Sequence, residues 1–178
     1  VRKSSDDSAP TAVYRIATFG GIPAKIIDKA EGWISISPDD QHISFVRCEY
    51  TDQDFCSLLT AGIDGSNERL LVSKPRPIRI SAQDFSPDGK SIGYAAGHST
   101  NGGSDFQILR INIADGTETE ITPKRYFNVK SLKWLPSGDE LLLTAMEMLD
   151  GKLNIWRLDA VTREAVSLTK DSVNYNAI

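Results

Sequence analysis

The sequence predicts an all-β fold built from repeated four-stranded antiparallel units. Within its 178 residues, three segments align around a proline, at 34–40, 83–89 and 132–138. The three prolines, Pro38, Pro87 and Pro136, are spaced by 49 residues. No segment shows a convincing helical apolar period over three turns. A repeat of this length without helices is typical of arrays of small β-sheets.

Each repeat begins with two strands joined by a tight turn. A large apolar residue stands two positions before each proline, as Ile36, Phe85 and Trp134. Apolar pairs follow five and seven positions after the prolines, as Ile43 and Phe45, Ile92 and Tyr94, and Leu141 and Leu143. A step of two places both members of a pair on one strand face. Proline favours the first corner of a turn, and Asp40, Gly89 and Gly138 suit the positive φ that follows.

Two further strands complete each repeat. The third strands are predicted at 58–61, 108–111 and 155–158, and the fourth strands at 70–72, 120–122 and 166–169. Turn residues separate them at 64–65, 115–116 and 159–160. Four antiparallel strands in about 40 to 50 residues form the blade of a β-propeller.

The repeat divides the chain into blades. Residues 1–11 are predicted to be a linker and 12–32 a half blade. Three full blades follow at 33–72, 82–122 and 131–169, and 173–178 begin another. A closed propeller needs at least about four blades and usually six to eight. We therefore expect a partial propeller that cannot close on its own.

Composition excludes several classes of function. The net charge of −4 argues against nucleic-acid binding by this segment, because phosphates require a basic surface. No apolar run is long enough to span a bilayer, so no membrane insertion is expected. The two cysteines, Cys48 and Cys56, are predicted to lie on paired strands. Two half-buried thiols are favoured there, with a disulfide as the alternative.

The sequence predicts no catalytic centre, cofactor or metal site. His42 is expected at the surface beside a turn, and His98 with Ser99 in a flexible loop between strands. The segment lacks the glycine that stands two positions after the serine in a nucleophile elbow. Aspartates recur at turns, where backbone hydrogen bonding explains them better than metal binding does.

The candidate binding residues lie in the two connections between full blades. The residues are Lys74, Arg76, Arg79, Lys124, Arg125 and Tyr126. In a propeller, such connections cross one face and end near the central channel. Two basic connections in an acidic chain could form a docking patch for an acidic peptide or small anion, although solvated loop charge explains them equally well. Pro75 and Pro77 would stiffen the first connection and reduce the entropy cost of binding.

The repeat resembles a known bacterial family. Ser86-Pro87-Asp88-Gly89-Lys90, with Ile92-Gly93-Tyr94, looks like the TolB-type, WD-like propeller repeat. This resemblance extends from about Ala12 to the end. Trp134-Leu135-Pro136 and 141–145 are similar to propellers fused to bacterial serine/threonine kinases or winged-helix regulators. Such propellers bind and scaffold rather than catalyse, so the resemblance implies a protein or peptide partner.

We therefore expect a non-catalytic binding module, a sensor or scaffold of a larger bacterial protein with a covalently linked neighbouring domain. Two alternatives stay open. One is the N-terminal propeller of a prolyl-oligopeptidase-like serine peptidase. The other is a free-standing periplasmic TolB-like protein, consistent with a slight preference for an extracytoplasmic location.

Overall fold

The computed structural model describes residues 2–3, 11–49, 54–100, 103–148, 151–169 and 175. These residues form four antiparallel sheets and no helix. Sheet A has three strands, and sheets B, C and D have four each. In sheets B, C and D the strand order follows the chain, as in a propeller blade.

The strands have the following bounds. Sheet A contains β1 (Arg2–Lys3), β2 (Ala12–Arg15) and β3 (Ala24–Ile27). Sheet B contains β4 (Glu31–Ile36), β5 (His42–Glu49), β6 (Phe55–Gly62) and β7 (Arg69–Pro75). Sheet C contains β8 (Arg79–Phe85), β9 (Ser91–Thr100), β10 (Gly103–Asn112) and β11 (Glu118–Tyr126). Sheet D contains β12 (Asn128–Trp134), β13 (Glu140–Met146), β14 (Asn154–Asp159) and β15 (Ala165–Ser167).

The predicted all-β blades are confirmed, and several elements differ locally from expectation. Arg2–Lys3, within the expected linker, pair with β2. The expected loop around His98 is wrong, because β9 continues to Thr100 and His98 lies opposite Asp105. The predicted start of another blade at 173–178 lies outside the described residues, apart from Tyr175, whose N–H donates to the carbonyl of Leu153.

The repeated turns have the predicted backbone. Asp40, Gly89 and Gly138 have φ of 58°, 69° and 79°, the left-handed conformation that the turn requires. In the turn after β8, the Ser86 hydroxyl donates to Asp88, which also accepts the N–H of Lys90. The turn is therefore closed by its own side chains as well as by its backbone.

Turn carboxylates of this kind make the stability of the fold depend on pH. Hydrogen bonds hold the pKa of five turn aspartates below the ordinary 3.8; they are Asp39, Asp64, Asp88, Asp115 and Asp159. For Asp88, the main cause is the Ser86 hydroxyl and the next is the Lys90 N–H. When the pKa of a carboxyl group is lower in the folded state than in the unfolded state, the group stabilises the fold at pH values above its unfolded-state pKa. This contribution is lost as the pH falls through the folded-state pKa.

We accordingly expect the Tm to fall as pH drops below about 4, and the fall to be shallower in Asp88→Asn. This amide can accept some of the turn's hydrogen bonds but carries no charge to lose. Thermal melts followed by circular dichroism from pH 7 to pH 2 measure the effect. An acid-dependent loss of Tm in Asp88→Asn as large as in the parent would contradict this role of Asp88.

Apolar clusters between neighbouring sheets hold the fold together. Between sheets C and D, Trp134 and Trp156 pack with Ile108 and Leu143. The Trp134 ring lies against Gly93, where an added Cβ would stand 2.8 Å from Trp134 Nε1. Glycine in β9 thus provides the space that the tryptophan occupies.

Sheets B and C share a similar interface with a smaller ring. Phe85 packs there with Val46, Leu58 and Tyr94. Phe85 and Trp134 are both buried, with exposed fractions of 6% and 7%. Ile36, at the corresponding repeat position, is 50% exposed. Each of the two aromatic rings packs on the preceding sheet, and the described part of sheet A does not cover Ile36.

A polar row joins the innermost strands. Ser35, Asp84 and Lys133 occupy equivalent positions, spaced by 49 residues. Asp84 Oδ1 accepts hydrogen bonds from Ser35 Oγ at 2.6 Å and Lys133 Nζ at 2.8 Å. Its Oδ2 accepts the N–H of Trp134 at 3.0 Å. One carboxylate therefore connects sheets B, C and D at their inner edge.

Candidate functional site

The two basic connections are shorter than the sequence predicted. β7 extends to Pro75 and β8 begins at Arg79, while only Phe127 separates β11 from β12. The cations expected in loops therefore stand largely on paired strands. Lys74, for example, lies opposite Cys56 in the β6–β7 ladder. The composition of this segment predicted a loop, but the backbone pairing of the strand continues through it.

A cleft opens at this end of sheet B, between the β5–β6 hairpin and the β7–β8 connection. Its volume is about 490 Å³. We call it the cysteine cleft, and its lining residues are Cys48, Asp54, Phe55, Cys56, Arg76, Pro77, Ile78 and Arg79. It contains two of the predicted binding residues, Arg76 and Arg79.

A disulfide joins Cys48 and Cys56 across directly opposed positions of β5 and β6. The prediction that both cysteines lie on paired strands is confirmed, but the preference for two thiols over a disulfide is wrong. Cys56 is buried and Cys48 is half-buried at the cleft. Adjacent strands bring opposed residues within the reach of a disulfide, which a sequence pattern alone could not distinguish from two buried thiols.

Two arginines line the cleft. Arg76 forms an ion pair with Asp54 at 3.2 Å, and Arg79 adds a second guanidinium. Phe55 exposes 38% of its surface and supplies an apolar wall. Arginine binds carboxylates through paired hydrogen bonds, so these two guanidinium groups suit an acidic ligand.

The two predicted lysines act between sheets instead. Lys74 of sheet B binds Glu118 of sheet C at 2.8 Å and lies 6.0 Å from the centre of the Tyr94 ring. The Tyr94 hydroxyl donates to the same Glu118 carboxylate. The sequence offered no signal for these partners, because they belong to a different blade.

Lys124 makes the same kinds of contact at the next interface, between sheets C and D. Its Nζ lies 4.5 Å from the centre of the Trp156 ring and pairs with Glu147 at 2.6 Å. Each lysine therefore combines a cation–π contact with an ion pair to the following sheet. Both side chains are mostly covered, with exposed fractions of 19% for Lys74 and 27% for Lys124.

Arg125 and Tyr126 do not form the expected patch with the first connection. Arg125 binds Glu120 at 2.6 Å and Asp105 at 3.3 Å. Tyr126 is 1% exposed and packs edge-on against Trp156, so its prediction as a surface contact is wrong. Burial, with a smaller effect from Glu147, raises the pKa of the Tyr126 phenol. The ring serves the core because it follows the alternation of β11.

The histidine and acidic residues that the sequence raised as candidates for catalysis or metal binding do not gather into one site in the described part of the chain. His42 begins β5 and stands 3.9 Å from Asp39, with more than half of each side chain exposed. Among the described residues, no three histidine, cysteine or acidic side chains are placed to hold a metal ion. The described segments also include no helix with the length and apolar character needed to cross a membrane.

Consecutive four-stranded antiparallel meanders, packed face to face with their first strands side by side, define a β-propeller fold. The described sheets do not close into a ring. No family model matches the chain.

Solved structures share this fold. TolB from Acinetobacter baumannii superimposes with a TM-score of 0.72 at 19% identity, over 94% of this chain and 40% of that protein. A chain of the nidogen/laminin complex gives 0.70 at 14% identity, over 94% of this chain and 60% of that chain.

In sequence, the chain is 27% identical over 150 residues to dipeptidyl-peptidase 5 from Porphyromonas gingivalis. The match covers 79% of this chain and 21% of that protein. The chain thus spans less than two thirds of each of these relatives. TolB-type propellers and the propeller parts of peptidases are the proteins that it resembles.

Proposed function

We propose that this chain is the non-catalytic, partner-binding propeller section of a longer protein. The observation that supports this proposal is the cysteine cleft, in which Arg76 and Arg79 stand beside the exposed Phe55. An acidic side chain of a peptide would bind the guanidinium groups, and a neighbouring apolar side chain would contact Phe55 and Ile78.

The partner is a peptide or protein with an extended acidic segment. A cleft of about 490 Å³ accommodates a few side chains rather than a folded domain. The disulfide and the paired strands around it keep the walls in place, which limits the entropy lost on binding. One matched structure comes from a complex between nidogen and laminin, which is consistent with partner binding by this fold.

The test is a binding titration of the full chain with end-blocked hexapeptides that contain two glutamates and one leucine at varied spacings. We expect at least one peptide to bind, and Arg79→Gln to weaken it about 10-fold or more, since hydrogen bonds to a charged group contribute about 1.5 to 3 kcal/mol. Fluorescence anisotropy at low salt measures the affinity. Arg110→Gln, an exposed cation outside the cleft lining, is the matched control. Absence of binding by every peptide, or equal affinities in both variants, would contradict the proposal.

A second candidate is the propeller domain of a serine peptidase, favoured by the similarity to dipeptidyl-peptidase 5. In that arrangement the propeller would limit access of substrates to a separate hydrolase domain. Sequencing the surrounding gene distinguishes the candidates. A hydrolase domain with a Gly-x-Ser-x-Gly motif supports the peptidase, and a kinase or winged-helix domain supports a sensor or scaffold. A signal peptide with little else supports a free-standing periplasmic protein.

A further inference from the structure

We propose that the gap between sheets B and C, at the turns after β4 and β8, is a second binding site, which takes the arginine side chain of a protein partner. His42, at the start of β5, lines this gap, and Cys48, near the end of the same strand, lines the cysteine cleft. The two sites therefore lie at opposite ends of sheet B. The inference does not depend on the acidic partner proposed above.

The two turns border a cavity of about 430 Å³, which we call the turn cavity. The turns approach each other closely, since a Cβ added at Gly89 would stand 3.7 Å from Pro38 Cδ. Pro38 and Pro87 supply apolar surface on the turns, and Phe85 and Ile113 supply it on the sheet C side. Apolar walls of this kind suit the methylene chain of a long basic side chain, whose charged end stays at polar groups.

Each turn brings one carboxylate to the turn cavity, Asp39 from sheet B and Asp88 from sheet C. The Oδ1 atom of each accepts a serine hydroxyl and a backbone N–H of its own turn. Within the described residues, the Oδ2 atom of each has no hydrogen-bond partner. The charge of Lys90 acts on Asp88, but no lysine or arginine is among the described residues that line the cavity. The cavity therefore offers two charged acceptors to a cationic donor.

A buried hydroxyl also belongs to the turn cavity. Thr60 of β6 lines it and is only 8% exposed. In the described part of the chain, the Thr60 hydroxyl has no hydrogen-bond partner. A buried polar group without a partner is costly, and native structures seldom retain one without a ligand or water to satisfy it. A guanidinium group carries five N–H donors, which is enough for this hydroxyl and for both carboxylates.

The repeat indicates arginine as the occupant. Positions 44, 93 and 142 on the second strands are spaced by 49 residues, and the residues paired with them on the third strands are Thr60, Arg110 and Arg157. Arg157 pairs with Glu140 at 3.5 Å, and Glu140 has the repeat position of His42. Sheets C and D thus carry a guanidinium group of their own where sheet B has a short side chain beside a cavity. An arginine from a partner would supply this group to sheet B.

The test titrates the full, nitrogen-15-labelled chain with N-acetyl-arginine amide and follows the backbone amide chemical shifts. N-acetyl-citrulline amide, which has the same length but no charge, is the matched probe. We expect the signals of Thr60 and Gly89 to shift, and the arginine probe to bind about fivefold more tightly than the citrulline probe at low salt. Asp88→Asn should remove most of this preference. Asp159→Asn, which changes a turn aspartate of sheet D outside the cavity lining, should leave it unchanged.

Thr60→Arg tests the occupant directly, because it gives sheet B the residue that sheets C and D have at this position. We expect it to weaken binding of the arginine probe about tenfold or more. Thr60→Val, which keeps the size of the side chain and removes the hydroxyl, should weaken it about threefold and serves if Thr60→Arg does not fold. The proposal is overturned if the signals of Thr60 and Gly89 do not shift, if both probes bind equally, or if Asp88→Asn keeps the preference. It also fails if calcium chloride produces the same shifts at lower concentrations than the arginine probe does.

Discussion

Replacing Asp84 with alanine is expected to lower the free energy of unfolding by about 2 to 4 kcal/mol. The carboxylate side chain is 8% exposed and accepts hydrogen bonds from Ser35, Lys133 and the Trp134 N–H. Its removal leaves the hydroxyl and the backbone N–H without an acceptor inside the fold. Chemical denaturation in urea, with the slope compared between variants, measures the loss.

The matched control for Asp84→Ala separates hydrogen bonding from charge. Lys133 contributes to the same site, but its side chain is 55% exposed, and Asp84 keeps its hydrogen bonds from Ser35 and the Trp134 N–H when the lysine is replaced. We expect Lys133→Met to cost under about 1 kcal/mol, as for other partly exposed ion pairs. If the two variants lose equal stability, the ion pair and not the buried hydrogen bonds holds the three sheets together.

Truncating Trp134 to alanine should cost about 3 to 5 kcal/mol, because it removes a buried aromatic ring and leaves a cavity against Gly93. Phe85→Ala should lose a comparable amount at the previous interface. Thermal and urea unfolding of the parent and both variants provide the measurement.

Ile36 provides a control at the same repeat position. Its side chain is 50% exposed, so Ile36→Ala should cost about 1 kcal/mol or less. The three substitutions share a position in the repeat and differ in what covers them. The packing described between the sheets would be contradicted if the stability losses followed side-chain size alone. In that case Ile36→Ala would cost as much as truncating a fully buried aliphatic side chain.

The repeat made most of the fold predictable from sequence. Proline spacing located the turns, and the alternation around Phe45, Tyr94 and Leu143 identified buried strand faces that the structure confirms. Local chemistry sufficed there because a tight turn and a half-buried strand depend on residues close in sequence. The limits of β7 and β9 were missed because strand pairing extended them through residues typical of loops.

The candidate site was predictable only in part. Arg76 and Arg79 were identified as basic residues beside prolines, but their meeting with the cysteines depends on two connections at the same end of sheet B. Counting antiparallel strands could have placed both connections at that end. Nothing local indicated that Lys74 and Lys124 are bound to the following sheets, since the acidic partners and the rings of Tyr94 and Trp156 lie 20 or more residues away.

The polar row on the innermost strands also limits which duplications or rearrangements of the blades the fold can tolerate. Ser35, Asp84 and Lys133 are equivalent in the repeat but differ chemically, and each contact joins a donor to the shared acceptor. Unequal recombination that duplicated sheet C would place a second copy of Asp84 where Lys133 now stands, bringing two carboxylates together in a nearly buried position. Moving sheet C from between sheets B and D would likewise separate Asp84 from one of its donors. Repeats that look interchangeable in sequence therefore have fixed places in the array.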